Sequence, residues 1–278
     1  MVKREIEEII EKIRKDDFSI LDDFLNSIEK ETLIVKETSE PVVFIGDLHG
    51  DFNTLENIIK KLLEKYTLIF LGDYVDRGPM QLETLLGVLY LKSIYPKRVY
   101  VLRGNHEHSW MNFRYGFISS LLYRLENWKY FYYNYILKIY EKLPIAMLLK
   151  VNQRKVFAVH GGIPISIPSL EDIARLRKRE NIFEDEILLQ LLWNDPDELI
   201  DEYDISFRGE GIYVFGRRIL ERFLSKNNID LIVRAHEPVE NGVQSLFNGK
   251  LYTVFSCQYY GITPGALLLG REIRILNI

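Results

Sequence analysis

The sequence predicts an α/β protein made of two packed β-sheets, a β-sandwich flanked by helices on its outer faces. Three observations predict it. Short apolar runs alternate with helix-spaced ones from residue 41 to about 102, strand-like runs dominate the second half, and no stretch approaches the ~20 apolar residues of a membrane span. With 278 residues, 47% of them hydrophobic and 27% charged, the chain has the composition of a globular protein and the length to bury a large core. We expect one domain over residues 1–278, with 1–40 as a helical cap and 41–278 as the core.

Each element has its own signal. Ile6, Ile9, Ile10 and Ile13, then Ile20, Leu21, Phe24, Leu25 and Ile28, recur at helical spacing and predict two short amphipathic helices capping the sheet. The strand Val42–Ile45, a helix over 53–65, a strand over 68–71, a helix over 80–94 and a strand over 99–102 predict parallel βαβ units. One long helical stretch is expected over 110–142, including the aromatic run 130–140. Strand-like segments come next at 146–151, 155–159, 212–215, 230–234, 243–247, 250–255 and 265–269. Asn248-Gly249 between apolar pairs signals a hairpin. The charge run 175–180 reads as a solvated helix face.

Composition narrows the function. The 36 basic residues against 40 acidic ones give a net charge of −4, which argues against duplex nucleic acid as a partner. The lone Cys257 excludes an internal disulfide and a cysteine-based zinc site. The N-terminus MVKREIEEII lacks the apolar core of a signal peptide. A cytoplasmic chain with neither nucleic acid nor membrane as partner is expected.

Ligands of open α/β sheets collect beyond the carboxyl ends of strands. There the sequence reads Gly46-Asp47-Leu48-His49-Gly50, Gly72-Asp73-Tyr74-Val75-Asp76-Arg77-Gly78, Arg103-Gly104-Asn105-His106-Glu107, His160-Gly161-Gly162 and, after the strand near 231–235, His236-Glu237. Four of the five histidines stand just past a strand, and His108 is two residues beyond His106. A single aspartate there is commonly a turn former or helix cap. Packing does not require Asp or His at every one of these ends. Oxygen and imidazole donors without thiolate suit manganese, iron, cobalt or zinc. The donors outnumber what one four-coordinate ion needs and suit two divalent ions about 3.5–4 Å apart, bridged by a carboxylate and a hydroxide that serves as the nucleophile.

These segments resemble the three signature motifs of the PPP family of serine/threonine protein phosphatases, in a compact form of prokaryotic appearance. The resemblance extends over about residues 41–270 through Arg114-Tyr115-Gly116-Phe117, Leu143-Pro144-Ile145-Ala146, Leu192-Trp193-Asn194-Asp195-Pro196, Arg208-Gly209 and Arg234-Ala235-His236. It implies that Asp47 and His49 bind a first metal, that Asp73 bridges, and that Asn105, His160 and His236 bind a second. It implies that His106, paired with Asp76, is the general acid, and that Arg77 and Arg208, with Asn105, bind phosphate. Trp193 resembles a substrate-side residue, with a core role equally open. The loop Ser256-Cys257-Gln258-Tyr259-Tyr260-Gly261 is one residue shorter than the family's usual one and lacks its proline, which leaves open whether Tyr259 or Tyr260 reaches the site. His108 is expected at the surface or behind the ligands.

The expected function is therefore hydrolysis of phosphoserine and phosphothreonine in proteins by a monomer using two divalent ions, manganese first and iron, zinc or cobalt as alternatives. A symmetrical diadenosine tetraphosphate hydrolase is the rival enzyme. Tyr74-Val75-Asp76-Arg77 and Leu192 to Pro196 favour the protein phosphatase. A catalytically dead binding scaffold is the rival of another class, and intact ligand positions speak against it.

Overall fold

The computed structural model describes residues 2–278. Among these residues fourteen strands run in chain order: β1 (Leu33–Thr38), β2 (Val42–Ile45), β3 (Thr67–Phe70), β4 (Val99–Val101), β5 (Ala146–Val151), β6 (Arg154–Val159), β7 (Asp195–Pro196), β8 (Tyr203–Ile205), β9 (Tyr213–Phe215), β10 (Leu231–Arg234), β11 (Val243–Leu246), β12 (Leu251–Val254), β13 (Gly265–Leu269) and β14 (Ile273–Asn277). They form a six-stranded sheet in the order β1-β5-β6-β10-β12-β11, a five-stranded sheet in the order β14-β13-β2-β3-β4, and a small sheet β7-β9-β8.

The two large sheets pack face to face, as the sequence predicts. Side chains alternate across each strand. Val42, Phe44, Ile69 and Leu71 of one sheet meet Met147, Leu149, Val156 and Val233 of the other in a shared core. Val43, Ile45, Leu68 and Phe70 point outward under helices Phe52–Leu62 and Gln81–Ile94. Phe157, Val159 and Ile232 point outward under helices Glu186–Trp193 and Arg217–Asn227. Burial on both faces is why the central strands read as unbroken apolar runs.

The two N-terminal helices, Val2–Arg14 and Ser19–Ser27, do not cap a sheet. They pack on helix Gln81–Ile94, which is therefore apolar nearly all round. The expected single helix over 110–142 is several pieces. Gly116, with φ 111°, separates Ser109–Tyr115 from Phe117–Arg124, and a π-helical turn over Tyr132–Ile136 precedes Leu137–Lys142. The run 175–180 is not a helix face either. Helix Leu170–Arg175 ends there, and residues 176–180 form a strap: Arg103 donates to the carbonyls of Arg179 and Glu180, and Lys178 donates to those of Glu29 and Glu31.

Register carries the sheets to the site. Strands β2, β3 and β4 are parallel with Ile45, Phe70 and Val101 level, so the segments after them leave from one edge. Strands β6 and β10 are parallel in the other sheet. The two edges are tied where Asp47 bridges Phe255 and Ser256 N–H donates to Asp47 O at 3.2 Å. Among the described residues no helix is long and apolar enough to cross a membrane.

Candidate active site

The strand-end loops converge because glycine lets them touch. A Cβ on Gly72 (φ 108°) would lie 2.3 Å from Gly104 N, and one on Gly104 would lie 2.1 Å from Asp73 Oδ1. Buried Glu107 completes the knot by accepting from the amides of Asp73 (2.8 Å), Tyr74 (2.9 Å) and Gly104 (2.8 Å). Burial, then the neighbouring Asp73 charge, pushes its carboxyl up to about 7. His49, Asp73, Asp76, Arg77 and His236 all have positive φ, a backbone state that non-glycine residues keep only where the surroundings enforce it.

Two donor groups emerge, His49–Asp73–His106 and Asp73–His160–His236, with ligand atoms within 4.8 Å of one another in each. Asp73 belongs to both. Asp47 joins the first side, its Oδ2 3.5 Å from His49 Nε2, and Asp73 Oδ2 is also 3.5 Å from that nitrogen. His160 Nε2 lies 2.8 Å from Asn105 Oδ1 and 3.4 Å from Asp73 Oδ1. His236 N–H donates to Asp47 Oδ1 at 2.9 Å.

The residues fit divalent metal ions. His49 and His160 each turn Nδ1 to a backbone carbonyl, Val75 O at 2.9 Å and Leu71 O at 3.0 Å, which aims Nε2 inward. Asp47 Oδ2 and His236 Nε2 are buried and have no hydrogen-bond partner, an expensive condition unless something else satisfies them. Burial would depress the His49 imidazole, but the Asp47 and Asp73 carboxylates outweigh it and hold it up at about 9. Without a cation the carboxylates retain a proton on the histidine in its place. His236 is driven well down by burial and by the charges of Arg208, His160 and Arg234, so it stays a neutral donor.

Above the donors is a cavity of about 250 Å³ lined by Asp47, His49, Asp73, Arg77, Asn105, His106, Met111, Tyr115, Trp193, Arg208, His236, Pro238, Phe255 and Tyr260. His106 turns Nδ1 to Asp76 Oδ2 at 2.8 Å. The Arg77 guanidinium lies 4.7 Å from the Tyr115 ring and 5.7 Å from the Tyr260 ring, and Tyr260 stacks on His49. Arg208 reaches the cavity while ion-paired to Asp195, which also accepts from Arg234 at 2.7 Å. Trp193 is buried with its ring centroid 5.6 Å from that of His236 and the two rings nearly perpendicular, so it is both packed and cavity-lining.

Tyr260 reaches the cavity and Tyr259 does not. Tyr259 is 45% exposed on the far side of the short turn Gln258–Tyr260. His108 is neither at the surface nor directed to the donors. It is buried against Phe183, and its Nδ1 accepts from Trp110 N–H to start helix Ser109–Tyr115. The cavity also takes in Met111, Pro238 and Phe255, with Asn112 behind Asp76, none of them anticipated from the sequence, and Tyr115, which was read only as part of a motif without a site role. A signal was present for Met111, Asn112 and Tyr115, which lie just after His106 in the one short helix Ser109–Tyr115.

The calcineurin-like phosphoesterase profile matches residues 40–240. The chain belongs to this family and, within it, to the PPP serine/threonine protein phosphatases. It is 34% identical over 231 residues to the serine/threonine-protein phosphatase 4 catalytic subunit of Saccharomyces cerevisiae, covering 81% of this chain and 72% of that protein. It is 32% identical over 269 residues to the subunit of the same name from Kluyveromyces lactis, covering 92% and 83%. The solved structure of a Saccharomyces cerevisiae protein serine/threonine phosphatase with similarity to human phosphatase PP5 superposes with a TM-score of 0.82 at 29% identity, covering 99% of this chain and 90% of that one. In this PPP chain Asp47, His49, Asp73, Arg77, Asn105, His106, Trp193, Arg208 and His236 of the motifs line one cavity, and Asp76 and His160 are fully buried.

Proposed function

We propose that the chain hydrolyses phosphoserine and phosphothreonine in proteins, with two divalent ions held by Asp47, His49, Asp73, Asn105, His160 and His236. When bound, such ions supply positive charge to phosphoryl oxygens and acidify water. His106 donates a proton from Nε2 to the departing oxygen, and Asp76 sets its ring orientation through Nδ1. Arg77 and Arg208 bind the phosphoryl oxygens with charge-assisted forks. The rings of Tyr115 and Tyr260 hold Arg77 over the cavity.

The observation that carries the reading is the buried His106–Asp76 pair, in which a histidine grouped with His49 and Asp73 has its Nδ1 committed to a carboxylate. A serine or threonine alkoxide is a strong base and leaves only when protonated, whereas a nucleotide polyphosphate leaves without help. The same reading expects manganese as the preferred ion and a monomeric single domain. It also expects a cytoplasmic setting, which suits the buried, unpaired Cys257.

The test is turnover of phosphoserine and phosphothreonine peptides with manganese, measured beside diadenosine tetraphosphate. Release of phosphate from the peptides at a kcat/KM at least about tenfold above that for the dinucleotide is expected. The reverse preference would assign the site to the dinucleotide polyphosphate.

A further inference from the structure

Behind His106 the hydrogen bonds run three layers into the core. Asp76 Oδ2 accepts from His106 Nδ1 at 2.8 Å and from Asn112 Nδ2 at 3.1 Å, and Oδ1 accepts from Phe117 N–H at 3.0 Å. The Asn112 amide nitrogen also donates to the carbonyl of His106 itself at 2.8 Å. Asn112 thus holds both the carboxylate and the backbone of the histidine. With its nitrogen committed to two acceptors, its oxygen must find donors inside the protein. It finds two, the hydroxyls of Tyr132 at 2.9 Å and Tyr140 at 3.0 Å. Both tyrosines are fully buried.

The helix is shaped for this. Residues eight apart on a regular α-helix point about 80° away from each other. Here the chain takes a π-helical turn between them, with Leu137 N–H donating to Tyr132 O five residues back. A wider turn absorbs one residue, which brings positions 132 and 140 to within about 20° of one face. Such turns cost hydrogen-bond quality and recur at functional sites. Burial pushes both phenols above their ordinary value, so both remain protonated and able to donate. Two donors on one carbonyl polarise the amide and strengthen its N–H groups toward Asp76.

We propose that Tyr132 and Tyr140 are positioning residues for the proton donor, acting through Asn112 to fix Asp76 and the His106 ring. The inference rests on the reading of His106 as the general acid. The competing account makes the tyrosines core fillers whose hydroxyls merely need a partner.

The test uses Tyr132→Phe, Tyr140→Phe and the double variant, which keep both rings, with His106→Asn as reference. Melting temperature and metal content are measured first, then kcat and KM on a phosphothreonine peptide and on 4-nitrophenyl phosphate, whose leaving group needs no proton. The double variant is expected to lose kcat about tenfold on the peptide and less than about twofold on the aryl ester, with KM and metal content unchanged. His106→Asn should show the same selectivity with a larger loss. If the double variant does not fold, Tyr132→Phe alone should show an about threefold selective loss. Wild-type kcat on the peptide, or equal losses on both substrates while His106→Asn is selective, would overturn the positioning role alone. Equal losses for His106→Asn itself would overturn the acid reading and the inference with it.

Discussion

Arg77 extends from a left-handed backbone with its guanidinium against Tyr115 and Tyr260, so its charge is presented with little freedom left to lose. Arg77→Ala should lower kcat/KM by roughly 10²-fold and weaken inhibition by inorganic phosphate, with Lys restoring only part because it lacks the fork. Arg208→Ala should act in the same direction. A variant with wild-type phosphate inhibition would make Arg208 only a partner of Asp195. A second residue-scale prediction concerns His108, which burial depresses from 6.5 to about 4. The unfolded chain takes up that proton first, so stability present above pH 6.5 should drain away as pH falls toward 4. His108→Asn keeps an acceptor for Trp110 N–H but cannot titrate, and its urea midpoint should fall less across that window. At this scale the donors were legible, because Asp and His at strand ends have no packing reason to recur. The choice between Tyr259 and Tyr260 was not, because one residue of turn geometry decides it. Nor was the Asp195 pairing of Arg208, which depends on a contact across the small sheet.

Helix Gln81–Ile94 joins the N-terminal helices to the sheet, and its last turn carries a buried charge. Lys92 pairs with Glu29 and donates to Pro96 O at 2.9 Å, while the second oxygen of Glu29 is buried and unpartnered. Removing one partner strands the other, so Lys92→Met should cost about 3 kcal/mol in denaturant unfolding. Adding Glu29→Leu should recover most of that, and a double variant no more stable than the single would show that the pair does not hold this junction. Strands β2, β3, β6 and β10 read directly as apolar runs because they are buried over most of their length, and the edge strand β11 was legible through the Asn248-Gly249 hairpin that pairs it with β12. Strands β1, β8 and β14 did not, because each lies at a sheet edge with at least half of its residues exposed and carries no turn signal of that strength. The break at Gly116 and the π turn were hidden for another reason. Helical spacing on either side hardly changes when one residue is absorbed or one glycine turns the chain.

Across the whole molecule, two sheets meet at one edge to place donors from sites as far apart in sequence as Asp47 and His236 within hydrogen-bonding distance. Sequence patterning supplied the sandwich and the donors. The tie between the sheets at Asp47 and Phe255 is backbone pairing, which side-chain identity does not encode. The concentration of carboxylates explains why a cation belongs there. In its absence His49 keeps a proton to about pH 9, so loading must displace that proton. Apparent manganese affinity should therefore rise with pH between about 6 and 8, by up to about tenfold per unit, and loading should raise the melting temperature. A pH-independent affinity would show that loading releases no proton from His49. The measurement that bears most directly on the function is phosphate release from a phosphothreonine peptide by chelator-stripped protein before and after manganese is added. We expect no turnover in the stripped protein and restored turnover with manganese. Full turnover in protein shown to be metal-free, or none after manganese is bound, would contradict the account.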